Sequence, residues 1–164
     1  MIETERLALR PLEPRDLDAF VAYRSDPELA RFQGWDAPYP REEGAALIEG
    51  QRDVELGTPD RWLQIGIRDR ATGALLGDCA VHVRPGEPSA ADLGVTLTRA
   101  AQGRGVAIEA LAAVMAALDI DTYIMEIDER NAASRRLAER LGFALCAREP
   151  DDDGAVWLRY ERRR

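Results

Sequence analysis

The chain has 164 residues, a net charge of −8 at neutral pH and 46% hydrophobic residues. That size fits a single domain over residues 1–164 with a proper core, and the composition excludes a disordered chain. No apolar run is long enough to span a membrane, and the acidic balance argues against a general nucleic-acid binder, whose binding face would be basic. Met1 to Arg6 lacks a basic segment followed by an apolar one, so no secretory leader is expected. Cys79 and Cys146 both sit among apolar neighbours, which predicts two buried, reduced thiols and a cytoplasmic protein. All basic residues are arginine beside abundant alanine, a codon-usage sign of a GC-rich genome.

Glu3 to Arg10 reads as a first strand, with Leu7 and Leu9 on one face, ended by Pro11 and Pro14. Asp16 to Ser25 has helical spacing, and Asp26-Pro27 opens a short helix to about Arg31. Phe32 to Pro40 is a loop dense in aromatics, Gly and Pro. Its Phe32, Trp35 and Tyr39 fit a binding wall or a plug at the edge of the core equally well. Arg41 to Leu56 reads as a helix burying Ala45, Leu47, Ile48 and Gln51, stopped by Gly57 to Asp60.

Trp62 to Arg68 and Leu75 to Val83 form a hairpin about the turn Asp69 to Gly73. Pro85 to Ser89 makes the next turn. Ala91 to Thr98 then alternates: Ala91, Leu93, Val95 and Leu97 on one face, Asp92, Gly94, Thr96 and Thr98 on the other. Gln102-Gly103-Arg104-Gly105-Val106-Ala107 follows, and Gly105 to Leu118 is an apolar helix. Its single charge, Glu109, complements the helix dipole. Asp121 to Asp128 is a strand, and Asn131 to Leu141 a helix with Asn131 as N-cap and Gly142 after its end. Phe143 to Ala147 and Ala155 to Tyr160 close the chain as strands about the Asp151 to Gly154 turn, with Arg162 to Arg164 as a frayed tail.

The chemistry centres on Gln102 to Ala107. Two glycines free the backbone for positive φ, so several N–H groups converge beside the positive end of a helix. This is an anion cradle, suited to a pyrophosphate. A Walker loop needs a lysine, and the chain has none. A Rossmann fingerprint needs a small sixth residue, where Ile108 stands. His82 is the only histidine, which removes most metal and triad schemes.

The Gln-x-x-Gly-x-Ala pattern between strand and helix resembles the acetyl-CoA loop of the GNAT N-acetyltransferase superfamily. Asn131-x-x-Ser134 followed by Leu141-Gly142-Phe143 resembles the second signature of that superfamily. Thr4 to Leu12 resembles the opening of its RimJ/RimL-like branch. The resemblance spans almost the whole chain. It implies an α+β (α/β/α) fold: a mostly antiparallel mixed seven-stranded sheet, about four helices on both faces, and a splay between the fourth and fifth strands.

It also implies a bacterial enzyme moving acetyl from acetyl-CoA to a primary amine by direct attack, without a metal. Leu97, Gln102, Gly103, Arg104, Gly105, Val106, Ala107 and Asn131 would hold the cofactor. Phe32 and Trp35 would line the acceptor pocket. Asp92, two residues before Gly94, is the expected base, with Glu126 and Asp36 in reserve. Family members often carry a tyrosine acid five residues before the phenylalanine; here that position is Ala138. Ser134 takes the acid's role as it does in the ribosomal-protein branch, and also fits a purely capping hydroxyl. A non-catalytic acyl-CoA-binding domain on the same fold is the rival reading, and a nucleotide-phosphate enzyme a third. Protein N-termini, polyamines, aminoglycosides and small amines all remain open as acceptors. No nucleic-acid or membrane partner is expected, and such proteins often form homodimers.

Overall fold

A computed structural model describes residues 1–86 and 89–164. The expected turn at Pro85 to Ser89 therefore falls partly outside the described residues. Among them, eight strands form one sheet in the order β1-β2-β3-β4-β5-β6-β8-β7. These are β1 (Ile2–Glu3), β2 (Leu7–Pro11), β3 (Trp62–Asp69), β4 (Leu75–Arg84), β5 (Ala90–Leu97), β6 (Thr122–Asp128), β7 (Ala144–Pro150) and β8 (Val156–Arg163). Five helices flank them: α1 (Leu17–Arg24), α2 (Pro27–Ala30), α3 (Arg41–Gly50), α4 (Val106–Ala117) and α5 (Ala132–Arg140). Every pairing is antiparallel except β5 with β6.

The period-two alternation of the strands assigns their faces. Leu63, Ile65 and Ile67 of β3, Cys79 and Val81 of β4, and Ala91 and Leu93 of β5 share the main core with Val106, Ala110, Leu111 and Val114 of α4. Ala138 of α5 joins that core together with Phe143, Met125 and Tyr160. A smaller core on the opposite side gathers Phe20 and Tyr23 of α1, Ile48 of α3, Leu12 and Tyr39. Gly44 lets α3 approach α1: a Cβ there would sit 3.0 Å from both Leu17 and Val21. Gly44 is the buried residue of that turn, whereas Ala45, expected inside, is exposed.

The sheet has one more strand than expected because the first is split. Thr4 N–H donates to the Leu7 carbonyl at 2.9 Å, and Leu7 N–H donates to the Thr4 hydroxyl at 2.9 Å. This turn folds Ile2 back against Leu9. Helix α3 ends at Gly50, six residues before the expected Leu56. Gln51 stops it by leaving the helix to serve the sheet edge. Its amide donates to the Gln64 and Leu12 carbonyls and accepts from Gln64 N–H at 2.8 Å.

The basic C-terminus is not a frayed tail up to Arg163. Arg162 and Arg163 pair with Tyr123 and Thr122, and the Arg162 guanidinium donates to the Leu141 carbonyl at 2.9 Å. Cys79 is fully buried, and burial pushes its thiol pKa up. Cys146 is exposed, contrary to expectation. It lies on edge strand β7 between Leu145 and Ala147, where the register with β8 shifts and leaves it without a partner.

Candidate active site

Strands β5 and β6 pair only from Ala90↔Thr122 to Asp92↔Ile124 and then part. Past Asp92, β5 keeps β4 as neighbour to Leu97. Thr98 N–H donates to the Leu76 carbonyl at 2.8 Å. The alternation of an antiparallel ladder then turns the backbone N–H and C=O of Val95 and Leu97 toward the gap. Opposite Leu97 stands Gly77, with φ of 153°. A Cβ on it would lie 2.1 Å from the Thr96 carbonyl oxygen, so only glycine permits this approach of β4 to β5.

The gap opens into a cleft of about 660 Å³. After β5, the 3₁₀ turn Arg99–Ala101 leads into Gln102 to Gly105. Gly103 and Gly105 have φ of 71° and 76°, as the spacing required. Gly105 is the N-cap of α4, and no side chain caps that terminus. The first amides of a twelve-residue helix are thus left for a ligand, with the dipole favouring an anion. Gln102, Gly103, Gly105, Val106 and Ala107 line the cleft together with Leu97. The Gln102 amide donates to the Leu97 carbonyl at 3.3 Å, tying strand to loop.

Arg104 is not in the lining. Its carbonyl accepts from Arg6 at 3.1 Å, and the Arg6 guanidinium also pairs with Glu109. Glu109 further accepts from the Thr4 hydroxyl and from Arg6 N–H at 3.2 Å. Partial burial pulls its pKa up, but the Thr4 and Arg6 bonds outweigh that and hold it below the usual value. The lone charge of α4 is therefore a buckle between the N-terminal turn and the loop, a role beyond dipole complement.

Helix α5 forms the far wall. Asn131 Oδ1 accepts from Ser134 N–H at 3.1 Å, the expected cap. The cap uses Oδ1 and leaves the amide NH₂ to serve a ligand. Asn131, Ser134 and Leu137 all line the cleft. Ala138 has no exposed surface and lies in the core, so nothing at that position can act as an acid.

A second hollow, of about 360 Å³, lies on the α1 side of the sheet and meets the cleft at Gln33, Val95 and Thr96. Its sheet wall is Gln64, Asp78, Ala80 and Gly94; Trp35 and Trp62 stand at its sides. Trp35 lies in this hollow, whereas Phe32 lines the larger cleft. Below, Arg24 is paired with Asp78 at 3.3 Å, with side chains 6% and 2% exposed. The Arg24 guanidinium lies 3.9 Å from the Trp35 ring centroid and 4.3 Å from that of Phe20. The Tyr23 hydroxyl donates to Asp78. Burial raises the pKa of Asp78, and burial together with that carboxylate raises the pKa of Tyr23.

Asp92 lines neither space. It accepts two bonds from Arg84, at 2.8 and 2.6 Å, and faces His82 Nδ1 at 3.0 Å. Burial pulls its pKa up, but the Arg84 and His82 bonds prevail and lower it. Glu126 stands 3.7 Å from Arg84, and Asp36 is exposed and borders neither space. Sequence reasoning missed the floor residues Arg24 and Asp78 and the wall residue Trp62. In the alternation of β4, Asp78 falls with Ala80 and His82, opposite the core residues Cys79, Val81 and Val83, so the strand pattern alone did not signal its burial. Nothing in the sequence pointed to Arg24 as its partner.

A splayed sheet with an uncapped helix N-terminus at the gap defines a site suited to an extended ligand that carries an anion. The sequence model of the GNAT acetyltransferase domain matches residues 6–144, and the chain belongs to this family. It is 26% identical over 144 residues to an uncharacterized N-acetyltransferase, p20, of Bacillus licheniformis, covering 85% of this chain and 80% of that protein. The fold superimposes on RimL, a ribosomal-protein alpha-N-acetyltransferase solved with coenzyme A (TM-score 0.81, 19% identity, 98% and 95% of the two chains). It also superimposes on spermidine N-acetyltransferase of Vibrio cholerae with CoA and spermine (TM-score 0.79, 17% identity, 98% and 96%). The family match makes the chain an acetyltransferase. No helix among the described residues is long and apolar enough to cross a membrane.

Proposed function

We propose that this enzyme acetylates a primary amine by direct attack on acetyl-CoA, with no covalent enzyme intermediate. One observation carries the reading: the cleft at the uncapped α4 terminus meets the acceptor hollow at Val95 and Thr96. Two bound reactants can therefore be brought together, and positioning alone accounts for much of such a rate.

The loop amides from Gly103 to Ala107 hold the pyrophosphate, and the Asn131 NH₂ holds the pantetheine arm. Bound acetyl-CoA supplies an activated thioester. The backbone N–H of Leu97 or Val95, unpaired on that side, polarises the thioester carbonyl. Ser134, on the cleft wall, returns a proton to the departing sulfur. Asp92 is held by Arg84 with a lowered pKa, so it orients neighbours better than it takes a proton. A cytoplasmic location goes with this reading, because acetyl-CoA is found there.

Calorimetry with CoA is the first test, followed by thiol release from acetyl-CoA with an amine panel that includes spermine and N-terminal peptides. Absence of micromolar CoA binding would overturn the cofactor site. Binding without amine-dependent thiol release would instead favour the acyl-CoA-binding domain, the reading that Ala138 suggests.

A further inference from the structure

We infer that His82 is the proton acceptor for the incoming amine, with Asp92 as its positioning residue; this rests on the acetyltransferase reading above. His82 and Asp92 are direct cross-strand partners on β4 and β5, and Ala80 and Gly94 are the next pair along on the same face. Ala80 and Gly94 belong to the sheet wall of the acceptor hollow, which meets the cleft farther along β5, at Val95 and Thr96. His82 itself lines neither space; two residues along a strand span about 7 Å and the meeting point lies beyond that, so a chain of waters carries the proton from an amine there to His82.

The histidine is fixed on three sides. Its ring stacks on Trp62, with centroids 4.9 Å apart and planes 19° apart, and Trp62 is itself a wall of the hollow. Asp92 Oδ2 stands 3.0 Å from Nδ1. Asp60 stands 3.6 Å from Nε2 and is largely exposed. Arg84 is the nearby cation, bound to Asp92 and 3.7 Å from Glu126 of β6. An Nδ1–H bonded to Asp92 leaves the Nε2 lone pair for a proton. Arg84 engages both Asp92 oxygens, which removes that carboxylate as a competing base.

The protons balance. The ammonium gives one proton through water to Nε2, and the neutral nitrogen forms the C–N bond as the C–S bond breaks. The second amine proton offsets the one taken by sulfur, and the imidazolium returns its proton to solvent.

Because His82 is the only histidine, its imidazole nitrogens give unique NMR signals. The neutral ring is expected as the Nδ1–H tautomer, a preference lost in Asp92→Asn. A neutral Nε2–H tautomer in the wild-type protein overturns the proposal. The second measurement follows thiol release from acetyl-CoA against pH, with spermine and a serine-initiated hexapeptide as probe amines. In His82→Gln, kcat/KM should fall about a hundredfold and the enzyme's acid limb should vanish, with CoA affinity within about twofold by calorimetry. A retained acid limb in His82→Gln overturns the proposal. If wild-type protein turns over neither probe, the tautomer decides alone. Failure of wild-type CoA binding is a separate result, which strikes the acetyltransferase reading itself.

Discussion

The cleft at the α4 terminus and the hollow on the α1 side share Gln33, Val95 and Thr96, but the rest of each comes from different parts of the chain. One side of the cleft is built from backbone: an uncapped helix terminus, two left-handed glycines and a strand whose neighbour has departed, faced by the side chains of α5. The hollow is built from side chains borne by distant segments: Arg24 of α1, Trp35 of the loop, Trp62 of β3 and Asp78 of β4. A backbone site suits what a class of ligands shares, such as an anion beside an extended arm. A side-chain site can change its acceptor by changing one residue.

The comparison can be broken from the acceptor side first. Arg24→Met removes one partner of a buried pair and leaves Asp78 with the Tyr23 hydroxyl but no cation. A loss of about 3–5 kcal/mol in denaturant unfolding is expected. Asp78→Asn in the same background should recover much of it, since the stranded charge is gone; a loss under about 1 kcal/mol for Arg24→Met would show that the pair is not structural.

On the cleft side, Gly105→Val forces a β-branched residue into φ of 76° at the cradle. CoA affinity should fall at least about a hundredfold, about 2.7 kcal/mol or more. Unchanged affinity by calorimetry would mean that the anion is bound elsewhere. Ser134→Ala should be milder, lowering kcat about 10- to 100-fold while CoA Kd stays within about twofold. Equal turnover would leave Ser134 with its place beside the Asn131 cap and no part in the chemistry.

The smallest effect concerns the strap between the two regions. Asp26 caps α2 by accepting from Glu28 N–H at 3.0 Å and also pairs with Arg99, in the turn after β5. The Arg99 bonds lower its pKa to about 2. A depressed carboxylate contributes stability above its ordinary pKa of 3.8 and loses it as pH falls toward 2. Acid-unfolding curves should therefore be flatter between about pH 4 and 2 in Asp26→Asn than in wild type. Asp78 has the opposite sign: its pKa is raised by burial, so its contribution weakens as pH rises.

Much of the cleft was legible because its physics is local. Gly103 and Gly105 are needed wherever consecutive amides must converge, and Asn131 caps its helix with its own side chain. The alternation of Ala91 to Thr98 is a property of the strand alone. Glu109 was legible as a charge near a helix start, but its partners Thr4 and Arg6 are about a hundred residues away, and no local pattern names them. His82 was set aside for want of partners in sequence. Its partner Asp92 is ten residues on, on the next strand, and only the register brings the two opposite.

The sequence by itself determined the order of most strands and helices and the left-handed glycines before α4, and its signatures resembled the family that the match confirms. The elements and the glycines follow from spacing, backbone freedom and period, which act within a few residues. Tertiary structure decided that the first strand folds into a hairpin, that Gln51 ends α3, that Arg162 belongs to a strand and that Cys146 is exposed. It also decided which charges face each other: Arg24 with Asp78, and His82 between Asp92 and Asp60. A strand's own sequence fixes which face a residue takes, but its neighbour there depends on strand order and register, which only the packed sheet sets.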